Sequence, residues 1–203
     1  MRNARVAKQE ADYRYRFDTP LNADNIERAI SRYQRAIRPV GGHLTGLRGV
    51  GLMTSLKREC VKDGPYRKVS LFEAANRIMT DLILLYGIRH LLSRTDLPYT
   101  DYEVQYGTQN DRSHDIEAQA KGLRLSGEAF NVAQSFFNQK RRASMKKLRA
   151  KAHDATHRIL LFNADALRHQ KVLDKRYANE SYYVVNLGRG KRVLQLPARV
   201  LLP

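Results

Sequence analysis

Three carboxylates in one short stretch are the first residues in this chain whose types and spacing suggest chemistry. The segment from His114 to Glu128 alternates small or apolar residues with polar ones on either side of Lys121-Gly122. That is the pattern of two strands joined by a two-residue turn. With Ala120 facing Leu123, the pairing places Asp115 directly opposite Glu128, and Glu117 opposite Ser126. Alternation along each strand then puts Asp115, Glu117 and Glu128 on the same face. Like charges in that arrangement repel, so the cluster needs a cation. A Lys or Arg can serve, and hard carboxylate oxygens at this spacing also suit Mg²⁺, which keeps several waters and binds through one or two carboxylates.

The acidic cluster sits in a strongly basic chain. Lys and Arg number 37 against 20 Asp and Glu, a net charge of +17 over 203 residues. An excess of this size points to an anionic partner, nucleic acid or a membrane surface. Apolar residues at 42% are enough for a core and exclude disorder throughout. The single cysteine, Cys60, excludes a disulfide framework and a cysteine-based zinc finger, and suits a reducing compartment. The stretch Met1 to Arg16 has no apolar core of a signal peptide, and the longest apolar run, Leu82 to Ile88, is far below the roughly 20 residues of a membrane span. A soluble, cytoplasmic protein is the expectation.

The basic residues are unevenly spread. Lys140, Arg141, Arg142, Lys146, Lys147, Arg149 and Lys151 occur in twelve residues with no acid between them. A solvated helix normally carries compensating Glu, so this run is expected to contact phosphates, through Arg141, Arg142, Lys146 and Lys147 above all. Gly188-Arg189-Gly190-Lys191-Arg192 reads as a hairpin tip whose Arg189 and Lys191 can enter a groove, or equally as a bare Arg/Gly turn. Arg and Tyr also alternate in the arm, from Tyr13 to Arg16. His153 and His157 lie four apart but lack further ligands for zinc. No phosphate-binding loop of the Gly-x-x-x-x-Gly-Lys type is present, which argues against an NTPase.

Several elements position these groups. A first helix is expected from Asp24, with Glu27 as its capping-box partner and Ile26, Ile30, Tyr33 and Ile37 on its apolar face, ending before Pro39. Leu44 to Gly51 resembles the hairpin of helix-hairpin-helix DNA-binding modules, which implies phosphate contact at Arg48, Gly49 and Gly51; an ordinary glycine turn is the other reading. Ser70 and Glu73 form a second capping box, opening a long helix with Leu71, Ala75, Ile78, Leu82, Leu85 and Leu92 at helical spacing. Strands are expected at 102–106, 115–119 and 123–132, a basic helix at 135–152, a strand at 159–162, a helical stretch at 165–172, and a last hairpin from 182–187 and 192–196.

The order helix, three strands, helix, strand, together with Asp115 opening one strand and Glu128 on the next, resembles the PD-(D/E)XK nuclease superfamily. The resemblance covers about residues 70–165. It implies an α/β fold with a restriction-endonuclease-like αβββαβ core in residues 67–203, closed by a C-terminal β-hairpin. Residues 1–66 would form a mainly helical, DNA-contacting portion. It also implies Mg²⁺-dependent hydrolysis of double-stranded DNA by a prokaryotic homodimer of the type II restriction class, with Asp115 and Glu128 as catalytic metal ligands. Glu117 is a further ligand or a solvated strand residue, and Glu73 a first-helix acid or simply part of its cap. The lysine of the family motif falls at Phe130 here. Some members carry that lysine on the neighbouring helix, where Lys140 is the substitute by position. A second alignment, of Asp96 with Glu103-Val104-Gln105, leaves the Asp115/Glu128 pairing without a purpose. Without a working lysine, the same fold would be a non-catalytic, basic nucleic-acid-binding protein.

Overall fold

The computed structural model describes residues 19–107, 113–167, 172–188 and 192–200. The arm from Tyr13 to Arg16 and the hairpin residues Arg189 and Lys191 lie outside them. The elements run β1 (Leu21–Asn22), α1 (Ile26–Ile37), α2 (Gly49–Arg58), α3 (Leu71–Leu92), β2 (Asp101–Val104), β3 (Ile116–Ala120), β4 (Leu123–Phe130), α4 (Phe137–Lys151), β5 (His157–Asn163), β6 (Leu173–Lys175), β7 (Glu180–Val185), β8 (Val193–Gln195) and β9 (Ala198–Val200). The result is a mixed α/β fold. Seven strands form one mixed sheet in the order β1-β2-β3-β4-β5-β7-β8, and β6 pairs with β9 in a small parallel sheet.

The hairpin of β3 and β4 has the expected register. Ala120 pairs with Leu123, Glu117 with Ser126 and Ile116 with Gly127. Lys121 and Gly122 both adopt positive φ, 51° and 77°, the two left-handed residues that a tight hairpin turn requires to match strand twist. From β4 the chain crosses through α4 and returns as β5, parallel to β4, and β7 continues the parallel set. Parallel strands are covered on both faces, which is why β5 reads Ile159-Leu160-Leu161-Phe162 without alternation.

The two faces carry separate cores. On one, α3 places Ile83, Leu84 and Ile88 in a cluster with Leu125, Ala129, Ile159, Leu161 and Tyr183, and α1 adds Ile26, Ile30 and Tyr33. On the other, α4 places Phe137, Met145 and Leu148 with Phe130, Leu160, Phe162 and Tyr182. Both helices run back from the carboxyl edge of the parallel strands. Their amino ends therefore meet at the edge where Glu128 and Phe130 emerge.

Some expected elements are corrected. Helix α1 starts at Ile26 after Asn25, not with a box of Asp24 and Glu27, because the Asn22 side chain accepts the amides of Asp24 and Asn25 and turns the chain first. The first strand of the trio ends at Val104; beyond it, the Gln105 amide still donates to the Asp115 carbonyl. The helical stretch expected at 165–172 is one 3₁₀ turn, Ala164–Ala166, within the described residues. His153 lies in the turn after α4, and His157 opens β5. The β6–β9 pair was not anticipated, because three-residue strands show no period. No helix among the described residues is long and apolar enough to cross a membrane.

Close packing of α3 on β5 depends on Gly87. A Cβ there would lie 3.0 Å from Leu161 Cδ2 and 3.1 Å from its Cγ, and Leu161 is fully buried. Gly87→Ala gains about 1 kcal/mol of helix propensity but forces overpacking that costs about 1–3 kcal/mol. A net loss in denaturant unfolding is the expected outcome, with unchanged or raised stability counting against this packing.

Candidate active site

Two strands and one helix converge on Asp115 and Glu128. Asp115 immediately precedes β3, and its Oδ2 accepts a hydrogen bond from the Ala129 amide at 2.9 Å. Its own carbonyl accepts from Gln105 at 2.9 Å, so the residue is held by both neighbouring segments. Glu128 lies near the end of β4 and is only 6% exposed. Its Oε1 pairs with Lys147 Nζ at 2.6 Å and stands 3.4 Å from His114 Nδ1.

Burial controls the electrostatics. It pushes the Asp115 carboxyl up to about 6, and the nearby Glu128 charge pushes the same way. Burial also raises Glu128, against the pull of Lys147, Lys140 and Lys151. His114 is shifted down by burial, which favours the neutral ring at pH 7. The two acids thus sit where two full negative charges are costly, and the compensating charge comes from α4. Lys140, Ser144, Lys147 and Lys151 follow one another at three- and four-residue steps along one stripe of that helix.

Lys147 is the residue whose role the sequence reading missed. It was expected to contact phosphates, yet its ammonium is on Glu128. Its spacing, two turns beyond Lys140, was the available signal. Lys140 Nζ stands over the Phe130 ring, 5.9 Å from the centroid, and its charge favours the ionised forms of Asp115 and Glu128. Glu117 is half-buried, opposite Ser126 on β4 and Glu103 on β2; its charge reaches His114. Glu73 stays in its capping turn, where its amide donates to Ser70 Oγ, and it pairs with Arg77.

The α3 acid nearest the pair is Asp81, a second residue the pattern did not single out. It is fully buried and accepts from Tyr33 Oη at 2.5 Å, from Tyr66 Oη, and from the Gly107 amide at 3.0 Å. Burial raises it to about 6, and Asp115 adds to the shift. A charged residue immediately before the apolar run of α3 was the clue, but its three donors come from segments far apart in sequence.

The basic residues divide by use. Arg141 donates to the Asp174 carbonyl at 3.0 Å and lies over Tyr182. Arg149 forms a two-pronged pair with buried Glu180; burial works against that carboxylate, but the guanidinium and the Arg176 amide outweigh it and hold its pKa below the ordinary range. Arg142 and Lys146 are exposed. Arg48, Gly49 and Gly51 are exposed at the start of α2, well away in sequence from the acids, with Gly49 at φ 54°.

Comparison with known protein families, curated proteins and solved structures found no match to this chain. The donor set itself has to be weighed against Mg²⁺. Among the described residues no group of three or more His, Cys, Asp or Glu is arranged to hold a metal ion. Asp115 and Glu128 are a pair of hard-oxygen donors, which fits an ion that keeps most of its waters.

Removal of the Lys147 charge tests the balance. In Lys147→Met, burial acts on Glu128 with less opposition, and its folded-state pKa rises further above the unfolded value. Such a carboxylate binds extra protons when folded, so stability is present at low pH and lost as pH rises through the folded pKa. The variant should melt below the parent at pH 7.5, by roughly 2 kcal/mol given that Lys147 is partly exposed, with the gap narrowing towards pH 5. An equal gap at both pH values would contradict the assignment.

Proposed function

We propose that the protein is a metal-dependent endonuclease that hydrolyses phosphodiester bonds of double-stranded DNA, resembling type II restriction enzymes. The observation that carries this reading is the pair of acids, half-buried Asp115 just before β3 and buried Glu128 on β4, under a lysine stripe. The element order α3-β2-β3-β4-α4-β5 supports it, because the expected αβββαβ core has the same order, with β5 parallel to β4. Burial as deep as that of Glu128 is unusual for a solvated strand acid, and a net charge of +17 supplies the attraction for a polyanion.

In this reading Asp115 and Glu128 hold Mg²⁺. The ion, when bound, supplies positive charge to the scissile phosphate and a more acidic water. The chain's own groups do the rest. The Ala129 amide fixes the orientation of Asp115. Lys147 keeps Glu128 ionised in its buried position and would place its positive charge beside a phosphate bound there. Lys140, above Phe130, holds the phosphate side of the strand, and exposed Arg142 and Lys146 continue the anionic path along α4. The enzyme would act in the cytoplasm of a prokaryote. A homodimer would match a two-fold DNA site.

A non-catalytic nucleic-acid-binding protein is the second reading. Phe130 at the motif lysine favours it, as does the ion pair of Glu128 with Lys147.

Plasmid cleavage with Mg²⁺ separates the two. Discrete products from the native chain should fall at least about a hundred-fold in Asp115→Ala and Glu128→Ala. With Asp115 titrating at about 6, the rate should climb as pH rises from about 5 to 7, since the ionised carboxylate is the ligand. Lys147→Ala should cut the rate more than Lys140→Ala. Tight, salt-dependent binding with no strand cut would establish the second reading.

A further inference from the structure

Of the phenylalanines in the described residues, three are packed in the α4-side core: Phe130, Phe137 and Phe162. The other two stand out in water. Phe72 is 66% exposed in the first turn of α3, and Phe136 is 61% exposed immediately before α4. Both helices begin at the carboxyl edge of the parallel strands, α3 on one face of the sheet and α4 on the other. The two faces are tied together there, since Asn131 Nδ2, just past β4, donates to Asn76 Oδ1 on α3 at 3.3 Å. Asn76 is one turn beyond Phe72, and Phe136 is five residues beyond Asn131. The two exposed phenylalanines therefore begin helices on opposite faces of the sheet, at the edge where Asp115 and Glu128 lie.

Phe136 also belongs to the lysine stripe. Stepping from Lys140 back by one turn gives Phe136, and stepping forward gives Ser144, Lys147 and Lys151. Its neighbour Phe137 is almost fully buried, so the chain at this point turns one ring into the core and the other outward. Exposed apolar side chains scattered singly are unremarkable on a protein surface. An aromatic ring at the head of a helix stripe that carries Lys140, Lys147 and Lys151 is different: the stripe offers cations to phosphates, even with Lys147 on Glu128, and the ring offers a flat apolar face beside them. Aromatic stacking with such electrostatic tracking is how proteins hold unpaired nucleotides, because every base has a face and only an unpaired base presents it.

We propose that Phe136 is a stacking platform for an unpaired nucleobase, held beside the phosphate that the lysine stripe positions, with Phe72 bounding the same entrance from α3. The base comes either from a single strand or from a duplex that extrudes it. The inference deepens the nuclease reading by naming the form of the substrate at the site, and rests on that reading only for nucleic acid as the ligand.

Binding without metal tests it separately from cleavage. The full chain is titrated, in the presence of a chelator, with a single-stranded oligonucleotide, with the matched duplex and with a duplex carrying one bulged base. Phe136→Ala should weaken the single strand about ten-fold and leave the slope of affinity against salt unchanged, since no phosphate contact is lost. Phe136→Tyr should restore the affinity. Leu194→Ala, an exposed apolar change on the edge strand β8, should do neither. If the bulged duplex behaves as the single strand does, the base is taken by extrusion; if only the single strand responds, the substrate enters unpaired. The proposal is overturned if Phe136→Ala binds the single strand as the parent does, if it changes the salt slope as a lost phosphate contact would, or if the parent binds no single-stranded or bulged form. Loss of stacking with plasmid cleavage intact would remove this inference alone, and stacking without cleavage would remove the nuclease reading alone.

Discussion

Two carboxylates withdrawn from water on neighbouring strands cannot both ionise cheaply, and the architecture around them answers that constraint. Asp115 and Glu128 each lose hydration, which raises both carboxyls, and the Glu128 charge raises Asp115 further. A folded chain accepts this only where something offsets the cost. Here the offset is local: an amide on Asp115, and the ammonium of Lys147 on Glu128, delivered by a helix that crosses from β4 to β5. The same helix that covers this face of the sheet supplies the cation: without Lys147, Glu128 would be a buried carboxylate facing only His114. The crossover connection and the site are therefore one structural decision.

The surrounding polar network follows the same logic on a larger scale. Asp81, fully buried in α3, is satisfied by two tyrosine hydroxyls and one amide. Tyr33 comes from α1, Tyr66 from the connection before α3, and Gly107 from the end of the segment after β2. A single carboxylate thus joins the N-terminal helices to the approach towards Asp115. Arg149 and Glu180 do the equivalent on the α4 side, tying that helix to β7. Basic residues in the same run consequently have different duties. Some neutralise acids, some brace α4 against the sheet, and Arg142 and Lys146 remain exposed.

Several of these features were legible in the sequence. The Lys121-Gly122 turn announced itself by composition, and once the turn is placed the register of β3 and β4 follows, because each residue added on one side has a single partner on the other. Ser70 with Glu73 marked the start of α3 for an equally local reason. Asp24 with Glu27 had the same signature and did not cap α1, since the side chain of Asn22 competed for the amides. The short β6 and β9 carried no readable pattern at all. Lys147 was visible as a charge but not as the partner of Glu128, because a helix stripe becomes a contact only when a sheet lies beneath it.

The amino-acid sequence alone determined the opposition of Asp115 and Glu128, the apolar helix α3 and the basic helix α4. These rest on short-range turns, caps and periodicities, whose interactions span a few residues. Tertiary structure decided which cation meets Glu128, which buried acid of α3 lies near Asp115, and which phenylalanines remain exposed at the sheet's edge. Those outcomes depend on burial and on distances between segments remote in the chain, and desolvation acts on a group only after the fold has closed over it.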